Sequence, residues 1–161
     1  MTNVPDDAGD SLEVVFIETK AKLLAQERNF DALDQKSTVL LGLAGIMLSI
    51  LLGASAGGMH ASVRYFWILS EVSLVSTIVL LVLALSVKEW HFPPKPESLQ
   101  AFIGKPRRHT VSKLSEELAK AYETNRGVLA GKVRRIKAAY WLLVFAACAM
   151  TGAFLLRMFI Q

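Results

Sequence analysis

Two short polar patterns stand out in a very apolar chain. Asp34-Gln35-Lys36 places a carboxylate and an ammonium two positions apart, directly before the uncharged run Ser37 to Ala56. Tyr122-x-x-Asn125-x-x-x-x-x-x-Lys132 places an amide and an ammonium two helical turns apart, on one face of a helix. A carboxylate and an ammonium brought together where helices meet lipid form an ion pair, because water there is too scarce to solvate each alone. Asp34, Lys36, Asn125 and Lys132 are therefore expected to form a polar clasp joining two helices, with Asp34 to Lys132 as its ion pair. The alternative is four independently solvated side chains.

Other charges invite different chemistry. Arg107, Arg108, Arg134 and Arg135 are candidates for binding a phosphate-bearing ligand, although basic residues beside a membrane span also attract anionic headgroups without any built site. Glu71 and Arg157 interrupt apolar runs, where an unpaired charge is costly. They are expected to pair within the membrane; the competing reading makes Glu71 part of an acidic pore ring. No catalytic constellation can be assembled. His60, His91 and His109 have no second ligand at the spacing of a zinc site. No glycine-rich phosphate loop follows a strand. The expectation is a protein that is not an enzyme and holds no metal or cofactor.

The elements that position these residues follow from hydropathy. The chain has 161 residues, 53% of them hydrophobic, with a mean hydropathy of +0.39. Its apolar residues are segregated into runs at 37–56, 65–87 and 138–160. Each is near the roughly 20 residues a helix needs to cross about 30 Å of hydrocarbon. None alternates apolar and polar residues, which rules out a β-barrel. The fold class is thus an all-α integral membrane protein with three transmembrane helices. The first thirteen residues carry Asp6, Asp7, Asp10 and Glu13 but no Lys, Arg or apolar core of a signal peptide. The first span is expected to act as its own targeting signal.

Sixteen Lys and Arg lie in segments 1–36 and 88–137, against Arg64 and Arg157 on the other side. The positive-inside rule then puts the N-terminus and the 88–137 segment in the cytoplasm and the C-terminus outside. The charge of +4 is explained by topology and calls for no nucleic acid. Residues 1–10 read as a disordered acidic tail and 11–161 as one helical membrane domain. One helix is expected from about Ser11 to Ala56, stopped by Gly57-Gly58. An outer turn reaches to about Arg64, and Tyr65, Phe66 and Trp67 form an aromatic belt. Pro93, Pro94, Pro96 and Pro106 make 92–108 a loop. A second cytoplasmic helix from about Ser112 runs into the last span, with Leu114, Leu118, Ala121 or Tyr122, Val128 or Leu129 and Ile136 as its stripe. The two cytoplasmic helices should pack on each other or on a neighbouring subunit.

Gly45, Ser49, Gly53 and Gly57 recur every fourth residue in the first span. Such a stripe admits close approach of another helix, of the same subunit or of a neighbour. A second small-residue cluster spans Ala146 to Ala149 and Gly152-Ala153. Ser70, Ser73 and Thr77 share a face, where hydroxyls usually bond back to their own helix. Cys148 reads as a small core residue.

The Asp-x-Lys opening the first membrane helix, the Asn and Lys preceding the last, the membrane hairpin and the proline-bearing loop together resemble the membrane effectors of bacterial anti-phage systems. Over about residues 15–155 the chain is similar to the Pycsar-type transmembrane effector domain. That resemblance implies an antiviral defence effector that sits dormant in the inner membrane as a homo-oligomer and perturbs the membrane when a cyclic nucleotide signal appears. A separate nucleotide-binding domain is not apparent in these residues. The nucleotide is thus expected either on the cytoplasmic helices or on a nucleotide-sensing partner. The rival reading is a constitutive scaffold or small channel subunit with no toxic role.

Overall fold

The computed structural model describes residues 7–54, 60–86 and 103–160. Among these are three α-helices and no strand: α1 (Asp7–Ala54), α2 (Ala61–Leu85) and α3 (Arg107–Ile160). Each contains a stretch long and apolar enough to cross a bilayer. The chain is an all-helical, multi-pass membrane protein. Gly57-Gly58 and the prolines at 93, 94 and 96 lie outside the described residues.

All three helices start earlier than expected, for local reasons. Helix α1 begins at Asp7 rather than Ser11, so residues 7–10 of the acidic tail are helical. Helix α2 begins at Ala61 rather than Tyr65. His60 is extended at φ −60°, ψ 146°, its carbonyl accepts from the Arg64 N–H at 3.0 Å, and its Nδ1 is 3.0 Å from Ser62 Oγ. Helix α3 begins at Arg107, so Arg107 and Arg108 leave the loop assigned to them. The Pro106 carbonyl accepts from the Thr110 N–H at 3.1 Å, and a proline at this place gives up no bond the helix needs. Gly104, at φ +83°, makes the turn before it, a conformation a side chain would strain.

The chain divides into two compact units: Met1–Asp31 with Glu89–Ala130, and Ala32–Lys88 with Gly131–Gln161. In the first, α1 and α3 lie side by side and run parallel. Glu13 pairs with Arg107, and Gln26 Nε2 donates to the Tyr122 carbonyl at 3.2 Å. Leu23, Leu118 and Ala121 are buried between the helices, with Phe16 and Tyr122 against them. The two water-side helical segments thus pack on each other.

In the second unit all three helices share one core. It contains Ala44 and Leu51 of α1, Val63, Trp67 and Leu74 of α2, and Leu143, Ala146 and Ala153 of α3. The inward positions of α1 are 37, 40, 44, 47 and 51; those of α3 are 132, 136, 139, 143, 146, 150 and 153. Both sets alternate steps of three and four, the seam of a left-handed coiled coil. In lipid this seam has no hydrophobic drive, and close packing of small residues holds it. The alanines of α3 provide that packing. Cys148 turns outward, not into the core, because Ala146 and Ala149 hold the inner face.

Helix α2 buries Val63, Trp67, Ser70, Ser73, Leu74, Thr77, Leu81 and Ala84. Trp67 stands edge-on to Phe154, ring centroids 5.5 Å apart. The aromatic belt is thereby split. Three consecutive residues turn about 100° each, so Tyr65 and Phe66 face outward while Trp67 enters the core. Ser70 and Thr77 donate to the carbonyls of Phe66 and Ser73 at 2.9 and 2.8 Å. That hydroxyl face packs inside the subunit.

Candidate functional site

Lys132 is wholly buried in the second unit, at 0% exposure. It falls on the inward seam of α3, where its stem packs between helices and its ammonium must find an acceptor. Asp34 supplies one. Lys132 Nζ donates to Asp34 Oδ1 at 2.5 Å, and the carboxylate keeps 35% of its surface exposed. Asp34 stands one position after the seam residue Leu33, at the edge of the α1–α3 interface. One charge is sealed and the other half-wet. The neighbouring hydroxyls turn to their own helix: Ser37 and Thr38 donate to the carbonyls of Leu33 and Asp34 at 2.8 and 3.0 Å.

Of the other two residues of the expected clasp, one is buried and one is exposed. Asn125 is fully buried in the first unit. Lys36 is exposed, turned about 200° from Asp34 at 100° per residue. It lines a cleft of about 710 Å³ between α1 and α3, with Gln35, Val39, Leu40, Ile136, Lys137 and Tyr140 among the other lining residues.

The four candidate ligand-binding arginines divide between the units. In the first, Arg107 is held by Glu13 and Arg108 is exposed. In the second, Arg134 is exposed and Arg135 Nη1 donates to the Leu83 carbonyl at 3.0 Å. That last bond satisfies one of the free carbonyls at the end of α2 and sets a cation at the negative end of its dipole.

Glu71 and Arg157 are not brought together. The Trp67–Phe154 contact fixes the antiparallel register of α2 and α3. Glu71 and Arg157 are each half-buried on their own helices.

The small residues of α1 face away from the core. Gly42, Ser49 and Gly53 are exposed and Gly45 is half-buried. A methyl added at Gly45 or Gly53 would meet no heavy atom within 4 Å. Ser49 Oγ donates to the Gly45 carbonyl at 2.9 Å. Among the described residues no helix of the same subunit uses this face; the seam of α1 lies at Ala44, Met47 and Leu51.

Two polar contacts escaped the sequence reading. Gln26 looks like any surface residue of a charged helix, and only the three-four spacing through Leu23 and Phe30 would have flagged it as inward. The Arg135 bond to α2 had no signal, since it depends on where α2 ends.

A family model described as the Pycsar effector protein domain matches residues 19–158. Comparison with curated proteins and with solved structures found no match.

Proposed function

The chain belongs to the Pycsar effector family, whose role is that of an anti-phage membrane effector rather than a catalyst, and from that premise we propose that it is a conditional membrane toxin. It lies in the inner membrane with its N-terminus and the 88–137 segment cytoplasmic. It self-associates through the outward small-residue face of α1, and it breaches the membrane or collapses its potential when a cyclic nucleotide signal appears. The match over residues 19–158, which takes in α2 and most of the other two membrane-length helices, carries this reading. The outward turn of Gly42, Ser49 and Gly53 supports the self-association, because a small-residue face with no partner among the described residues of its own subunit suits a second copy. The exposed cations Arg108 and Arg134 leave two routes for the signal, direct binding at the water-side helices or relay through a nucleotide-sensing partner.

Induced expression with a membrane-potential dye tests the toxin. Co-expression with an active nucleotide cyclase is expected to depolarise cells, and an inactivated cyclase is expected to leave them polarised. Unchanged potential in both would favour a constitutive scaffold or channel subunit. Topology is tested separately. A reporter after Gln161 should read as periplasmic and one at Pro96 as cytoplasmic; a cytoplasmic reading at Gln161 would overturn the orientation.

A further inference from the structure

We propose that the cleft between α1 and α3 is a binding site for one anionic phospholipid, its phosphate held between Lys36 and Lys137 and an acyl chain laid along Val39, Leu40 and Ile136. The cleft lies within one unit of the chain. Each lysine is the last charged residue before an apolar run, Lys36 before Ser37 and Lys137 before Ala138. The cleft therefore opens where two spans enter lipid. Its volume of about 710 Å³ falls in the usual range of ligand sites, roughly 300–1,000 Å³. All of its charged lining groups are cations.

Charge complementarity selects the occupant. Both ammonium groups are exposed, and no carboxylate lines the cleft. Asp34, the nearest acid in sequence, is turned to the opposite side of α1 and committed to Lys132. Two cations above an apolar floor match a headgroup phosphate joined to a hydrocarbon chain. Val39, 68% exposed, gives a chain a wall to lie on, and Tyr140 places an amphipathic ring at headgroup depth. This inference concerns what the subunit binds and stands whether or not the protein is a toxin.

The test uses the full chain in phosphatidylcholine vesicles with phosphatidylglycerol as the minority lipid, followed by mild-detergent extraction and native mass measurement. The wild type should retain one phosphatidylglycerol per chain. Neutralising both lysines (Lys36→Gln with Lys137→Gln) should cut retention about tenfold or more, since each cation near the surface is worth roughly fivefold. Val39→Trp, which keeps both charges and fills the cleft from its open side, should do the same. Arg134→Gln removes an exposed charge that does not line the cleft and should change retention less than about twofold, being outside the built site. Equal loss in all three variants would mean generic headgroup attraction and overturn the site. So would wild-type retention of phosphatidylcholine and phosphatidylglycerol in proportion to their supply. Loss of oligomer mass with unchanged lipid in Val39→Trp would instead assign the cleft to a second copy.

Discussion

Asp34→Ala should destabilise the protein by about 2 kcal/mol, and Lys132→Met should rescue most of that loss. Removing one partner of a fully buried pair typically costs about 3–5 kcal/mol, because a charge is left uncompensated. Here the carboxylate is 35% exposed, so water replaces part of what it gave and the cost falls below that range. For a chain of this size the expected fall in melting temperature is roughly 4–8 °C. Lys132→Met alone removes the buried charge and keeps an unbranched stem of similar volume. It leaves a carboxylate that water can reach, and should cost about 1 kcal/mol or less. The double variant should then resemble Lys132→Met. Thermal unfolding of the four proteins in detergent closes the cycle. If the two losses simply add, the pair contributes nothing and the clasp is only an adjacency.

The second large effect is on assembly. Gly45→Leu with Gly53→Leu should weaken self-association about tenfold or more, which corresponds to at least about 1.4 kcal/mol. The subunit itself should be unharmed. A Cβ at either position meets no heavy atom within 4 Å, and leucine favours the helix over glycine by up to about 1 kcal/mol. An unchanged or higher melting temperature together with lost oligomer mass would locate the contact on this face. Val79→Leu, an outward substitution on α2, serves as the control and should change neither. A wild-type protein that is monomeric in mild detergent, or a variant that still assembles, would remove this face from the interface.

The sequence was most legible where a single physical demand dominates. Lipid accepts only helices whose backbone bonds are internal, so three apolar runs announce three spans. A lysine that opens a span on an inward face needs an acid, and Asp34 was the acid at the same depth. What stayed hidden depends on rotation and register between helices. Tyr65, Phe66 and Trp67 read alike in a row, yet only Trp67 falls on the face with Val63 and Ser70. Gly45 and Ser49 could face a neighbour or their own bundle until Ala44 and Leu51 were seen to occupy the core. The start of α3 moved because a proline effect acts over one turn, below the resolution of a hydropathy run.

The pair at Lys132 also sets an order of events during synthesis. Its two members are separated by 98 residues of chain. At translation rates of about 5–20 residues per second, Asp34 emerges roughly 5–20 s before Lys132. Through that interval α1 and α2 must persist in the bilayer as a hairpin, with α1's seam residues Ala44 and Leu51 meeting lipid in place of α3. The acid at the mouth of the hairpin loses nothing by waiting, since water reaches it. The lysine has no such tolerance, because its site is dry. Placing the half-wet member first and the sealed member last lets the nascent chain lower its most expensive charge onto a partner already standing in the membrane.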